Sequence, residues 1–141
     1  MDWKHSISSA AARIEGHAQI TPVMTTATRW EPPVELKLEQ LQHTGSFKAR
    51  GAFNTLLSEP VPEAGVVAAS GGNHGAAVAY AATRLGHKAQ IFVPEMAGPA
   101  KIALIERTGA ALTVVPGEYA NALEAARAYE AESGALQVPA Y

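Results

Sequence analysis

The 141-residue sequence contains no cysteine. That single absence removes disulfide scaffolds, thiolate-bound zinc, iron–sulfur clusters and thiol catalysis together. No apolar run approaches the ~18 residues that a membrane span requires. Basic residues never cluster: eleven Lys and Arg stand against thirteen Asp and Glu, for a formal charge of −2. Neither a nucleic acid nor an anionic membrane surface is therefore an expected partner. The five histidines (His5, His17, His43, His74 and His87) never fall four residues apart, so no helical metal pair is expected. The first residues, MDWKHSISSAAARIEG, lack the apolar core of a secretory signal, and a soluble, cytoplasmic protein is the expectation.

What is present is a regular beat in the second half. Short apolar runs occupy 66–69, 89–93, 111–115 and 136–138, their starts about 23 residues apart. Helical patterns lie between them. Val78, Ala81, Ala82 and Leu85 form a stripe stopped by Gly86. Pro99 suits a first helical turn, with Ile102 and Ile105 inside and Gly109 after. Ala122, Ala125, Ala126 and Tyr129 repeat the helical spacing before Gly134. Alternating strands and helices with short turns predict a three-layer αβα unit over 65–141, with a parallel sheet of about four strands.

The first 64 residues follow another pattern. Trp3, Ile7, Ala10 or Ala11 and Ile14 recur at helical spacing, and TPVMTTATRWEPP (21–33) reads as a loose run. Val34, Leu36 and Leu38 alternate with Glu35, Lys37 and Glu39, which predicts a strand over 34–41 with no partner in this sequence, inviting edge association. A helix is expected from near Phe47, capped by Ser46 or Thr44, with Ala49, Ala52, Phe53, Leu56 and Leu57 on its apolar face. EPVPEAG (59–65) is a Pro-punctuated connector, giving two sections, 1–60 and 61–141.

Chemistry concentrates at two strand-to-helix junctions, where α/β proteins bind ligands. In Thr44-Gly45-Ser46-Phe47-Lys48 a lysine falls in the first helical turn, at the positive end of the helix dipole. The dipole alone costs the ammonium only ~0.3–1 kcal/mol, so a reactive amine needs burial as well. A Schiff-base lysine is one reading of Lys48; a solvated lysine beside Arg50 is the other. In Ser70-Gly71-Gly72-Asn73-His74-Gly75 paired glycines let backbone N–H groups approach an anion at a helix start. A tight turn with Asn73 as cap explains the same residues equally well.

Together the segments KLEQLQHTGSFKARGAFN (37–54) and ASGGNHGAAVAYAA (69–82), with TPV at 21–23, resemble the fold type II pyridoxal-phosphate enzymes, on the threonine dehydratase and serine racemase branch. The resemblance spans nearly the whole chain and corresponds to the family's N-terminal half. It implies pyridoxal 5'-phosphate as cofactor, with Lys48 forming the Schiff base. Phe47 would pack by the pyridine ring and Asn73 would hydrogen-bond the phenolic oxygen. Ser70, Gly71, Gly72, Asn73 and His74 would cradle the substrate carboxylate. Residues 1–60 would be an incomplete part of the large domain, and 61–141 the small mobile one.

Three departures qualify what is implied. Gly71 replaces the serine that a serine racemase uses as its second acid/base, which favours elimination over racemisation. Ala76 stands at the family's glutamine. No three glycines are consecutive, so the Gly-rich phosphate loop is absent from these residues. The expected activity is β-elimination from L-threonine or L-serine to a 2-oxo acid and ammonia, with this half inactive unless a C-terminal half or a second copy completes it. A non-catalytic α/β module binding small anions or a partner chain is the alternative.

Overall fold

The computed structural model describes residues 2–26 and 33–140. Helix α1 (Trp3–Arg13) leads to strand β1 (Val23–Thr26) and strand β2 (Val34–Lys37), then through two 3-10 turns to helix α2 (Lys48–Ser58). Alternation follows: β3 (Val66–Ala69), α3 (Asn73–Arg84), β4 (Ala89–Pro94), α4 (Pro99–Glu106), β5 (Ala111–Val115), α5 (Tyr119–Ser133) and β6 (Leu136–Gln137). The four strands predicted by the beat are all present and form one parallel sheet in the order β5-β4-β3-β6.

That order places the site. From β3 the chain winds outward to β4 and β5, then returns to the opposite side of β3 as β6. The direction of winding reverses between β3 and β6, and at such a switch point a crevice opens beyond the strands' C-terminal ends. Strand period does the sorting of faces. Val66 and Ala68 point into one core with α2, α3 and α4, whereas Val67 and Ala69 point into a second core with Ala122 and Ala126 of α5. All four β3 residues are buried, as a parallel strand covered on both faces requires. This is the expected three-layer arrangement.

Small residues set the closeness of the layers. Ala76, Ala77, Ala79, Ala81 and Ala82 of α3 are fully buried. A Cβ on Gly75 would stand 2.4 Å from the Ser70 carbonyl oxygen and 3.2 Å from Ile91 Cγ2. Only hydrogen fits there, and that lets α3 start directly on the end of β3.

The first section differs from expectation in three places. The strand expected at 34–41 ends at Lys37 and is not unpartnered: it pairs antiparallel with β1, Val23 opposite Lys37 and Thr26 opposite Val34. Four residues of the supposed loose run thus form a strand, because Val23, Thr25 and Thr26 are β-branched and no breaker interrupts them; its residues 27–32 lie outside the described ones. Residues Glu39–Leu41 form a 3-10 turn instead. Neither Ser46 nor Thr44 caps α2. Phe47 holds the N-cap position without a side-chain bond, and both hydroxyl oxygens are buried without a hydrogen-bond partner among the described residues. Finally, α1 buries none of its residues; Trp3 and Ile7 are exposed, and Ile14 just past the helix reaches the core.

A polar network, unforeseen in the sequence, ties β1, β2 and α2 together. Arg50 donates through Nε to Glu39 Oε2 at 2.9 Å and through a terminal nitrogen to Oε1 at 2.7 Å. The same guanidinium donates to the Gln19 carbonyl at 2.9 Å, and Thr21 Oγ1 donates to Glu39 at 2.6 Å. Buried Gln42 exchanges two 2.9 Å bonds with the Gln19 backbone, and Lys37 donates to the Thr21 carbonyl. The bidentate Arg50 guanidinium holds the Glu39 carboxyl down at about 2, against the opposing effect of burial.

Two measurements check this account. Because Glu39 is more acidic folded than unfolded, its stabilisation is complete above its ordinary value of 4.5 and is lost as pH falls from there towards 2; Glu39→Gln should flatten that part of the acid-unfolding profile. In denaturant titrations, Gly75→Ala should cost about 1–3 kcal/mol by overpacking. Gly51→Ala, inside α2 with nothing within 4 Å of its Cβ, should instead gain roughly 0.5–1 kcal/mol.

Candidate active site

Lys48 opens α2, and its position follows from the network just described, since Arg50 two residues on is anchored to the β2 side. The Lys48 Nζ donates to the Ala140 carbonyl at 3.0 Å and stands 5.5 Å from the centroid of the Phe47 ring. Phe47 itself is 59% exposed. Lys48 thus lies at the crevice between β3 and β6, reached by the segment that follows β6.

Two cavities meet there. One of about 450 Å³ is lined by Phe47, Lys48, Gly51, His74, Val138 and Ala140 among others. The other, about 410 Å³, is lined by Lys48, residues 70–74, Tyr119 and Ala140. Lys48, His74 and Ala140 border both. The residues singled out in the sequence are therefore brought to one place, Phe47 on one side of Lys48 and the glycine loop on the other.

The loop between β3 and α3 offers backbone donors. Gly72 is the N-cap of α3 and no side chain caps the helix, so Asn73 is not the cap that the tight-turn reading supposed. The first helical bond runs from Ala76 N to the Gly72 carbonyl, which leaves the N–H groups of Asn73, His74 and Gly75 without helical carbonyls. Ser70 Oγ accepts from Gly72 N at 3.2 Å, which leaves its own O–H free to donate. No acidic residue occupies the first turn of α3. An electropositive concavity results.

His74 is tied elsewhere through its ring. Nε2 lies 2.9 Å from the Val138 carbonyl, an acceptor only, so Nε2 carries the proton and donates. Burial holds the His74 pKa below the ordinary histidine value, outweighing that hydrogen bond, and the Lys48 charge acts the same way. A neutral His74 therefore pins the segment after β6 across the crevice. His43, by contrast, belongs to an aromatic cluster, stacked on Tyr80 at 4.8 Å with Tyr80 Oη 3.1 Å from its Nδ1.

Tyr119 and Ala140 were not legible as site residues. Tyr119 is the first residue of α5, and only the return of the chain to β6 places it beside residues 70–74. Gly71 is enclosed: its Cβ would stand 2.6 Å from Ala97 Cβ and 3.3 Å from both Pro94 Cδ and Val93 Cγ1. No cluster of three or more potential metal ligands occurs among the described residues. None of their helices is long and apolar enough to cross a membrane.

One consequence concerns His74. By NMR its ring should titrate with a midpoint below about 6.5. Since the folded value is the lower one, the associated stability is present above the unfolded pKa and declines as pH drops through the interval between the two. A midpoint above the ordinary value would refute the assignment.

Comparisons with known proteins bear on the family and the fold. The family model "Pyridoxal-phosphate dependent enzyme" matches residues 14–141. An L-threo-3-hydroxyaspartate ammonia-lyase of a Pseudomonas species is 39% identical over 142 residues, covering 97% of this chain and 44% of that protein. An L-threonine ammonia-lyase of Thermotoga maritima is 43% identical over 107 residues, covering 74% of this chain and 27% of that protein. The solved structure of maize serine racemase superposes with a TM-score of 0.90 at 31% identity, covering 95% of this chain and 42% of that one. The chain thus spans less than half the length of these relatives. With that match over residues 14–141, and with Lys48 facing a glycine loop across the sheet's crevice, the chain belongs to the pyridoxal-phosphate-dependent enzymes, the family whose cofactor is pyridoxal phosphate.

Proposed function

We propose that the protein carrying this chain is an ammonia-lyase that eliminates water across Cα and Cβ of L-threonine or L-serine. The observation that carries the reading is Lys48 standing between a cavity walled by Phe47 and one walled by residues 70–74. The relatives named above act, by their names, on hydroxyaspartate, threonine and serine, amino acids that share a hydroxyl on Cβ.

The residues present fit the aldehyde and ring of the cofactor. Lys48 Nζ donates to a neutral carbonyl and stands against a ring face, and two hydroxyls with no hydrogen-bond partner among the described residues, Thr44 Oγ1 and Ser46 Oγ, are buried in the turn before it. Thr44 takes a left-handed backbone there (φ 60°), strain of the kind found at ligand sites. When bound, pyridoxal phosphate supplies an aldehyde for amines and a ring that accepts the electrons of the Cα–H bond. Phe47 would lie against that ring, and Asn73 would donate to its phenolic oxygen.

The chain's own residues would do the remainder. Lys48 holds the cofactor and, as a free amine, takes the Cα proton. Within the 70–74 loop, the N–H groups of Asn73 and His74 and the Ser70 hydroxyl bind and orient the substrate carboxylate. Hydroxide leaves Cβ with a proton as water; the enamine released takes water back, yielding the 2-oxo acid and ammonia. Gly71 supplies no proton-transfer group, and the contact with Ala97 leaves no room for a side chain. Elimination is therefore favoured over two-base racemisation.

Pyridoxal phosphate also needs a holder for its phosphate, and one helix start cannot serve both the carboxylate and the phosphate. No Gly-rich loop lies within the 141 residues. The exposed apolar side chains of α1 and the hairpin, Trp3, Ile7, Val23, Met24 and Leu36, form the surface on which the remaining half or a second copy would pack.

Borohydride trapping of pyridoxal phosphate followed by peptide mapping should label Lys48 selectively. Labelling spread evenly over Lys4, Lys37, Lys88 and Lys101 would refute its role and favour a non-catalytic module. Lys48-dependent release of 2-oxobutanoate or pyruvate should require addition of the part that the relatives carry beyond the matched residues. Turnover by the 141-residue chain alone would show that requirement to be wrong. Gly71→Ser should shift the backbone amide signals of residues 93–98 and confer no racemase activity; a gain of racemisation would contradict the packing argument.

A further inference from the structure

Lys101 is the third residue of α4 and donates from Nζ to Asn73 Oδ1 at 2.5 Å. Two features make this contact directional. An ammonium carries donors only, so the amide must turn its carbonyl oxygen towards α4 and its NH2 group away. In addition, neither α3 nor α4 has an acidic residue in its first turn, so no carboxylate there draws the ammonium aside. Lys101 also sits at the positive end of its own helix, where a cation is disfavoured unless an acceptor is supplied. Asn73, the first residue of α3, lines the same 410 Å³ cavity as Lys48.

We propose that Lys101 is a positioning residue that fixes the Asn73 amide with its NH2 group available as a donor to the cavity beside Lys48. Without Lys101 the exposed amide is free to rotate and can present its oxygen, an acceptor, to that cavity. The consequence for the cofactor rests on the reading given above, in which Asn73 donates to the phenolic oxygen; the orientation of the amide does not.

The test separates the two. In the 141-residue protein without ligand, the side-chain NH2 resonances of Asn73, assigned by their loss in Asn73→Ala, should move to the values of a free asparagine in Lys101→Met and stay near the original in Lys101→Arg. Unchanged resonances in Lys101→Met, with the backbone amide spectrum showing a folded protein, would overturn the proposal. Absorbance titration with pyridoxal phosphate should then show about tenfold weaker binding for Lys101→Met and for Asn73→Ala. The double variant should be no weaker than Asn73→Ala alone, because Lys101 acts through Asn73. Additive losses would overturn the proposal. Resonances that move as expected while Asn73→Ala binds the cofactor as before would sustain the Lys101 contact and overturn the cofactor role of Asn73.

Discussion

The approach of the first turn of α3 to the end of β3 is the constraint on which the crevice depends. With hydrogen as its side chain, Gly75 lets the helix begin where the Ser70 carbonyl ends the strand, and Gly71 admits Ala97 against the loop. A side chain at Gly75 would push helix and sheet apart, and one at Gly71 would push the loop from the segment after β4. The N–H groups of Asn73, His74 and Gly75 would then leave the line on which they face the crevice. Close packing and exposed backbone donors are therefore the same feature, arising from the same glycines.

Lys48 reaches this place from outside the sheet, held by polar bonds more than by apolar burial. Its helix does bury Ala52, Phe53 and Leu56 in the core shared with α3. The rotation of its first turn, however, is governed by Arg50, whose fork on Glu39 and the Gln19 carbonyl leaves little freedom. Since the Glu39 carboxylate is 18% exposed, solvent weakens the pair, and its value lies in geometry as much as in energy. On the other side, the neutral His74 holds the segment after β6 by a single N–H. The lysine lies between an ionic clamp and a neutral one.

Charge on the glycine-loop side of the crevice is positive, while Glu59 lines the Phe47 side. Lys48 and Lys101 both stand in first turns of helices, and α3 contributes its own N-terminus without a neighbouring carboxylate. Each placement is mildly unfavourable by itself. An anionic ligand there would offset each of these placements.

Much of this was legible in the residues themselves. The spacing of apolar runs determined four parallel strands, because local period and turn chemistry are set within a few neighbours. Gly134 and Pro99 marked helix ends for the same reason, each acting through its own backbone dihedrals. The TGSFK and GGNHG blocks marked the site, since their residue types carry the chemistry wherever they stand. What only the tertiary structure decided depends on partners distant in sequence. The strand at 34–37 found β1 across a hairpin, Thr44 and Ser46 lost their role as caps to Phe47, and Arg50 met Glu39 rather than solvent. Tyr119 entered the site only because the chain crosses back to β6, and Asn73 turned its oxygen to Lys101, 28 residues away. Such contacts join side chains whose positions are fixed by the packing of whole layers, and no local pattern encodes where two layers will meet.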